Sequence, residues 1–404
     1  MGLEKVKTYV RTSLLSLPLG VILNFSPLPP LTTLVYLSQL KIYEEIPEKL
    51  LDVEELRERG YSPEFLQLYE EAARAQRTGT RAGLTHYLER RIRELKTSLE
   101  MMDYNISTMI EILALITIVL PLILAAVIAF IYPYFMVGVV SGVSALGLLT
   151  SLGISLTFIP PELWLRKPRA IVFAPFLLSL PVFYVTGDVA LSIMVGAIPS
   201  AVLSFREERR NYRVLEEAMN MVSKATYSRN PVLAGVDLDY LLSDVWYGIA
   251  KSAVTTLYIL YTQGGRKFAE GVSKLLAFIR DYVESYRSLR RKALQSLVYA
   301  LIMSSIAAVC MAIVVFTVDF MSDVGMPTGV SGFVIPTKEH VEELKGATSL
   351  YIAVTSLTYA LGIASLRDGN PLYFPVYLAL ILPLNYVSYM LALQYAPVLV
   401  RWRG

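Results

Sequence analysis

The side chains that most often carry enzymatic chemistry are few in this chain and far apart. It contains one cysteine, Cys310, and two histidines, His86 and His340. A lone cysteine in an apolar run excludes a disulfide framework and a cysteine metal cluster, and two distant histidines do not indicate a zinc or iron site. The glycine-rich stretch 263–267 lacks the spacing of a phosphate-binding loop. We therefore predict that the protein is not an enzyme and has no cofactor or metal.

The composition is that of an integral membrane protein which keeps sizeable polar parts. Of the 404 residues, 54% are hydrophobic and only 18% are charged. The formal net charge of +3 is too small to indicate a nucleic-acid partner. Polar and apolar blocks alternate, which predicts an all-α integral membrane protein with two cytoplasmic helical bundles and two transmembrane helix blocks.

The alternation predicts four successive domains. Residues 1–107 form the first cytoplasmic bundle, and residues 108–205 form the first transmembrane block. Residues 206–292 form the second cytoplasmic bundle. Residues 293–404 form the second transmembrane block, which includes an extracytoplasmic loop at 319–345.

The uncharged runs predict about eight membrane spans. Fifty residues without a charge separate Glu111 from Glu162, which suits two spans. Two shorter spans are predicted in 170–205, and single spans in 293–318 and 346–366. In the last run, 371–400, a single helix would be about 45 Å long, more than a membrane core of about 30 Å requires.

A hairpin of two spans is favoured for that last run, and a total of seven spans is the alternative. The hairpin is supported by a repeated pattern, because Phe374-Pro375 with Leu382-Pro383-Leu384 echoes Phe173-Ala174-Pro175 with Leu180-Pro181-Val182. Near the N-terminus, the uncharged stretch 12–40 is interrupted by Pro27-Leu28-Pro29-Pro30. Because proline breaks the helical hydrogen-bond ladder, we predict two short amphipathic helices on the membrane surface there, with a single span as the alternative.

One pattern occurs twice: a helix, a glycine stop, and a charged helix that runs on into an apolar span. In the first copy Ser62-Pro63-Glu64 begins the helix and Gly79 ends it. The charged helix that follows carries Leu84, Leu88 and Leu95 on one face. In the second copy 263–265 is followed by charged residues up to Lys292 and then by an apolar run. This repetition predicts a duplicated module.

The duplicated module resembles the type II secretion system F domain, found in the membrane platform proteins of type IV pili, type II secretion and archaeal surface filaments. The double copy with added spans is similar to the archaeal forms. In the first copy the matching residues are Ala75-Gln76-Arg77-Thr78-Gly79-Thr80, with Leu84, Leu88 and Leu95. In the second they are Gln263-Gly264-Gly265, with Phe268, Val272, Leu275 and Leu276.

The resemblance implies a platform that couples a cytoplasmic ATPase to the extraction of pilins from the cell membrane. The implied partners are a hexameric secretion ATPase, pilin subunits and membrane lipids. Of the 37 Lys and Arg residues, 33 lie in segments that the eight-span arrangement places on one side. That asymmetry predicts a multi-pass protein with a cytoplasmic N-terminus. A monomer and a homodimer both remain open.

Cationic residues near the ends of spans are candidates for contact with the ATPase. They are Arg166, Lys167, Arg169, Arg206, Arg209, Arg210, Arg290, Arg291 and Lys292. The simpler interpretation is that they set topology and contact lipid phosphates. Glu111 is a candidate polar residue within the membrane, with an interfacial position as the alternative.

Two other classes of membrane protein share features with this sequence. A secondary transporter built from two parallel repeats is the alternative function, although these spans contain no ionisable group besides Glu111. An intramembrane aspartyl peptidase would need a G-x-G-D signature, and Val185 occupies the position of its first glycine before Gly187-Asp188.

Overall fold

The computed structural model describes residues 2–131, 135–157, 165–324 and 336–401. Throughout these ranges the regular elements are helices and no strand is present, so the prediction of an all-α fold is confirmed. The described residues divide into two compact units. The first unit comprises 2–100 and 210–288, and the second comprises 101–131, 135–157, 165–209, 289–324 and 336–401.

The α-helices are numbered in chain order. They are α1 (Leu3–Phe25), α2 (Pro30–Gln39), α3 (Val53–Glu58), α4 (Pro63–Thr78), α5 (Ala82–Ala114), α6 (Leu120–Ile131), α7 (Met136–Thr157), α8 (Ser179–Thr186), α9 (Val189–Ala225), α10 (Leu238–Leu241), α11 (Gly248–Gln263), α12 (Phe268–Val324), α13 (Lys338–Asp368) and α14 (Phe374–Arg401). A π-helix covers Leu115–Val119, and 3-10 helices cover Ala170–Leu178, Gly265–Lys267 and Pro371–Tyr373.

The N-terminal helix α1 belongs to the core of the first unit. Leu19, Ile22 and Leu23 have no exposed surface and join a hydrophobic cluster with Phe65 of α4 and Ile259 of α11. The chain does break between α1 and α2, as the prolines predict. The part of α1 from residue 15 to residue 23 is buried, whereas most side chains of its first half are exposed. Apolar residues occupy most of the circumference of the buried part, and such a segment is stable only when it is buried. A position of α1 and α2 on the membrane surface stays a prediction.

The contact between α1 and α11 has a consequence for the domain organisation. Residues 2–100 and 210–288, which the sequence assigns to two separate cytoplasmic bundles, belong to the same compact unit. The two-bundle arrangement is therefore not confirmed. The first block buries its apolar residues partly against the second, which alternating blocks in a sequence cannot reveal.

The repeated pattern of helix, glycine and long helix is present in the structure. Helices α4 and α11 each contain 16 residues. Ser62 caps α4 by accepting a hydrogen bond from the Phe65 amide, and Gly79 ends it in the left-handed conformation, with φ of +69°. In the second copy the left-handed residue is Gly265, with φ of +47°. Each glycine is followed by a long helix, α5 or α12.

Arg81 fixes the turn between α1 and α2. Its guanidinium donates hydrogen bonds to the carbonyl oxygens of Asn24, at 2.9 Å, Ser26 and Leu28. The first of these belongs to the last turn of α1, where carbonyls have no partner within the helix. Burial lowers the pKa of the Arg81 guanidinium. Gln76 assists, because its Oε1 accepts a hydrogen bond from the Leu31 amide at 3.3 Å.

Helix α13 is the most deeply buried of the long helices of the second unit. It packs against α7 and α14, and 78% of its most apolar segment is buried. Thr117, in the π-helix, shares a hydrogen bond of 3.1 Å with the Tyr359 hydroxyl, and its carbonyl accepts one from Tyr351. Ser151 of α7 donates to the carbonyl of Thr358 at 2.7 Å. These bonds satisfy polar groups in an otherwise apolar interior.

Among the described residues, four helices are long and apolar enough to cross a membrane. They are Val189–Ala225, Gly265–Asp323, Lys338–Asp368 and Pro371–Val398. Helices α1 and α2 would add a fifth only if they formed one span bent by 118°. Three shorter apolar helices coincide with other predicted spans, at Thr108–Leu124, Val137–Gly153 and Ala170–Thr186. A membrane protein is thus supported, and the eight-span arrangement is not confirmed.

Two predictions about the second half of the chain need correction. The run 371–400 is not a hairpin, because α14 is a single helix that contains Pro383 and Pro397. Proline within a membrane helix is tolerated when neighbouring groups replace the missing hydrogen bond. The predicted loop 319–345 is shorter than expected, because α12 extends to Val324 and α13 begins at Lys338. Residues 325–335 lie outside the described residues.

Replacing Arg81 by alanine should destabilise the first unit. The change removes three charge-assisted hydrogen bonds and leaves carbonyls without a donor, so we expect the free energy of unfolding to fall by about 2–3 kcal/mol. Thermal unfolding in detergent would measure the loss. Arg77→Ala, at an exposed position of α4, is the control and should change stability by no more than about 0.5 kcal/mol. Equal effects of the two substitutions would contradict this role of Arg81.

Candidate functional site

Four charged side chains meet in the interior of the second unit. Glu208 of α9 and Asp368 of α13 have 1% and 0% of their surface exposed. Arg290 of α12 forms an ion pair with Glu208, and its Nη2 lies 3.6 Å from Asp368 Oδ1. Arg367 Nη2 lies 3.9 Å from Glu208 Oε1. Two negative and two positive charges therefore compensate one another, as buried charges require. These four residues are called the ion cluster below.

Tyr377 of α14 completes the ion cluster. Its hydroxyl donates a hydrogen bond of 2.6 Å to Asp368 Oδ2 and accepts one of 3.2 Å from Arg367. Glu208 Oε2 and Asp368 Oδ1 are buried and accept no hydrogen bond from the described residues. The ion cluster thus links α9, α12 and α13, and the Tyr377 hydroxyl attaches α14 to it. Two of its carboxylate oxygens keep unused acceptor capacity.

The segment 165–169 is attached to the same end of the second unit. The Leu165 amide donates to the Asp368 carbonyl at 3.2 Å, and Asn370 Nδ2 donates to the Leu165 carbonyl at 3.2 Å. The Tyr373 hydroxyl donates to the carbonyl of Arg166 at 2.8 Å. The Arg169 amide donates to Glu207 Oε2 at 2.7 Å. These backbone bonds hold the segment while its cationic side chains remain in contact with solvent.

The predicted ATPase contacts separate into two groups. The exposed side chains are Arg166, Lys167, Arg169, Arg206, Arg209, Arg210 and Arg291. Lys292 is half-buried, and the Arg290 side chain is only 16% exposed. Because Arg290 already neutralises Glu208 and Asp368, its structural role is internal. Arg210 belongs to the first unit, and the other eight belong to the second. Contact with an ATPase stays a prediction for the exposed group.

The residues of the family motif lie at helix ends and turns, and Glu111 lies on a helix surface. Thr78 and Gly79 form the end of α4, where the Thr78 hydroxyl donates to the Arg74 carbonyl at 3.0 Å. Gln263 is the last residue of α11, and Gly264 and Gly265 begin the turn that leads to α12. A side chain at position 264 would collide with the carbonyl of Leu260, which explains a small residue there. Glu111 is exposed on α5.

A second acidic residue, Asp188, precedes the first residue of α9. Asp188 Oδ1 accepts hydrogen bonds from the Leu191 amide at 3.0 Å and from the Ser349 hydroxyl of α13 at 2.5 Å. Its Oδ2 accepts one from the Tyr386 hydroxyl of α14 at 3.1 Å. Asp188 thus caps α9 and joins three helices. The sequence indicated a turn at Gly187-Asp188, and Gly187 does adopt the left-handed conformation.

Sequence reasoning did not single out Glu208, Arg367, Asp368 or Asp188 as site residues. Each stands beside other charges or in a turn, where a solvated surface is the usual expectation. The sequence does contain one signal. Between Asp188 and Glu208, the serines Ser192, Ser200 and Ser204 stand at intervals of four or eight residues. Residues four apart are neighbours on the surface of a helix, so Asp188 lies next to Ser192, and Ser200, Ser204 and Glu208 follow one another.

No protein-family model, curated protein or solved structure matches this chain. Among the described residues, no group of three or more His, Cys, Asp or Glu side chains could hold a metal ion. The salt bridges of the ion cluster join helices, and exposed cationic side chains lie near the cluster in the sequence.

Replacing Glu208 by glutamine should strongly destabilise the second unit. Arg290 and Arg367 would then share one buried carboxylate, so we expect the free energy of unfolding to fall by about 3–5 kcal/mol. Unfolding can be followed in detergent with a thiol-reactive dye, because Cys310 is partly buried on α12.

Glu216→Gln provides the matched control on the same helix. Glu216 pairs with Arg287 at 2.6 Å, but these side chains are 32% and 48% exposed. An exposed pair contributes less than about 1 kcal/mol. A loss of stability for Glu208→Gln no larger than that of Glu216→Gln would contradict the importance of the ion cluster.

Proposed function

We propose that this protein is a cell-membrane platform of a filament assembly or secretion machine related to type IV pili. In this role it couples a cytoplasmic secretion ATPase to the extraction of pilin subunits from the membrane. The proposal is supported by the resemblance of the two helix-glycine-helix copies to the type II secretion system F domain. It is also supported by the division into one unit rich in charge and one unit rich in apolar helices.

The observation that carries the proposal is the continuity of α9 and α12. Each is one helix that contributes residues to both units. Within the second unit the two helices are joined by the Glu208–Arg290 ion pair. Within the first unit they are joined by the Glu216–Arg287 pair and by Tyr212 stacked on Tyr286, with ring centres 5.9 Å apart.

A movement applied to the polar part of such a helix pair would reach its apolar part. An uninterrupted helix shifts or rotates as a body more easily than it bends, because bending stretches its hydrogen bonds. Cross-links between two helices at several levels keep them together while they move. An ATPase acting on the polar unit would thereby displace apolar helices next to which a pilin could leave the membrane.

A secondary transporter is the second candidate function. It is favoured by polar groups at several levels of the second unit, which the sequence did not lead us to expect inside it. Asn385 of α14 donates to Ser356 of α13 at 2.8 Å and accepts from Ser305 of α12 at 3.4 Å. Transporters place such groups along their pathways. Substrate-dependent flux in proteoliposomes without any ATPase would favour this candidate over the platform.

Cysteine labelling tests the orientation that the platform requires. In a Cys310→Ala background, cysteines would replace Arg229 of the first unit and Thr186, both at exposed positions. Thr186 lies 20 residues before Arg206, so a spanning α9 of about 26 Å between 189 and 206 would separate them across the membrane.

A membrane-impermeant maleimide should label the cysteine at 186 in intact cells. The cysteine at 229 should react only after the cells are permeabilised. Labelling at position 229 in intact cells would place the first unit outside, where a cytoplasmic ATPase could not reach it, and would rule out the platform.

The exposed cations of the second unit are expected to contribute to ATPase binding. Alanine at Arg166, Lys167, Arg169, Arg206 and Arg209, five of the six exposed candidates in that unit, should abolish co-purification of the ATPase from native membranes and stop filament assembly. The control is Arg57→Ala with Arg59→Ala, which removes two exposed cations from α3. If the fivefold variant still bound the ATPase and assembled filaments, this docking surface would be wrong.

A further inference from the structure

A groove is open between the two long helices of the first unit. It has a volume of about 280 Å³ and is lined by α5 from Thr85 to Lys96, by α12 from Lys274 to Ser285, and by α1. All of these lining residues belong to the first unit. Because α5 and α12 are the corresponding helices of the duplicated module, the groove lies between its two copies. From residue 85 to residue 96 a helix rises about 16 Å, which gives the length of the groove.

The floor of the groove is apolar and largely aromatic. Leu88, Leu95, Phe278 and Tyr282 each have less than a tenth of their surface exposed. The ring centres of Phe278 and Phe25 are 5.8 Å apart, and those of Phe278 and Tyr282 are 6.5 Å apart. Aromatic side chains provide a large apolar contact area, and here they are held against one another. The floor therefore offers an ordered surface to the apolar side chains of a ligand.

The α1 side of the groove is fixed by hydrogen bonds. The Thr85 hydroxyl donates to Asn24 Oδ1 at 3.0 Å, and Arg81 donates to the Asn24 carbonyl at 2.9 Å. Phe25 follows Asn24 directly, so its ring is positioned by the same turn. A groove that is formed before its ligand arrives costs little free energy to organise on binding.

Each wall of the groove carries a carboxylate without a cationic partner. Glu89 on α5 and Asp281 on α12 are exposed, and neither forms an ion pair within the part of the chain that the structure describes. Lys274, also on α12, is compensated by Glu270 at 2.7 Å. Lys96 lies about 10 Å beyond Glu89 along α5, at the end of the groove. The groove therefore has two uncompensated negative charges beside its apolar floor.

We propose that this groove binds an amphipathic helix of a partner protein whose apolar side is bordered by lysine or arginine residues. Apolar side chains at positions i, i+3 or i+4, and i+7 of that helix enter the groove. Its cationic residues pair with Glu89 on one wall and with Asp281 on the other. The site lies in the first unit, so it is distinct from the ATPase contacts expected on the second unit.

The dimensions of the groove suit one face of a helix. A whole α-helix is about 10 Å wide, so a length of 16 Å would occupy about 1,200 Å³ or more. The volume of about 280 Å³ can hold only side chains from one side of it. A length of about three helical turns matches anchors at i, i+3 or i+4, and i+7. The two carboxylates disfavour an acidic helix and a lipid phosphate, because like charges repel.

Peptide binding to the full-length protein in nanodiscs tests the proposal. The probe is a fluorescent helical peptide of about 18 residues with leucines on one side and lysines bordering them. The comparison peptide has glutamates in place of the lysines. Nanodiscs of zwitterionic lipid without protein measure adsorption to the lipid. The protein should bind the lysine peptide about tenfold or more tightly than the glutamate peptide, since two ion pairs are replaced by two repulsions.

Two groove variants separate the contribution of charge from that of space. Glu89→Lys with Asp281→Lys should weaken binding of the lysine peptide about tenfold or more. Ala277→Trp, at an exposed position in the groove, should block binding by filling the space. The matched control is Glu58→Lys with Glu70→Lys, at exposed positions of α3 and α4. It changes the net charge equally and should leave binding unchanged. Thermal unfolding verifies that each variant is folded.

Equal binding of the two peptides, or an effect of the groove variants no larger than that of the control, would overturn the proposal. Two further results would also overturn it by identifying another occupant. A phospholipid that stays bound through purification and is lost in Ala277→Trp would identify a lipid site, and a dimer that Ala277→Trp converts to a monomer would identify a second copy. None of these measurements involves the ATPase, so failure of the groove and failure of the platform are distinguishable.

Discussion

The second unit depends on the compensation of four buried charges. Glu208 and Asp368 are almost without exposed surface, so neither could stay ionised without Arg290 and Arg367. Such a cluster is a poor source of stability, since burying charge costs about as much as pairing returns. It is a strong constraint on arrangement, because displacing one member leaves another unpaired. Helices α9, α12 and α13 therefore have a fixed register at this level, and the segment 165–169 is attached to it.

Much of the local structure follows from the sequence by simple physical rules. Ser62 caps α4 and Gly79 ends it in the left-handed conformation, as their residue types predict. The prolines at 27–30 do separate two helices, and the glycine-aspartate pair at 187–188 does form a turn. In each case the determinant is a group within four residues, so nothing distant has to be known.

The features that the sequence did not reveal depend on distant partners. Glu208 lies in a run of charged residues, a pattern that predicts a solvated surface. It can be an interior residue only because Arg290, 82 positions later, pairs with it. The burial of α1 depends in the same way on α11. The length of the run 371–400 and its prolines predict a hairpin, but this segment forms the single helix α14. Packing against α13 can compensate for the backbone amide that a proline lacks.

The continuity of α12 restricts how this protein can change in length. Its 57 residues form one helix, in which successive side chains are rotated by about 100° around the axis. A single insertion ahead of Arg290 would turn the whole apolar part of the helix by that angle and move its guanidinium away from Glu208. Only an insertion close to a whole number of turns, such as seven residues for about two turns, would leave Arg290 and the apolar part of the helix facing their present neighbours. Related chains should therefore vary in their loops and conserve the spacing between Phe268 and Arg290.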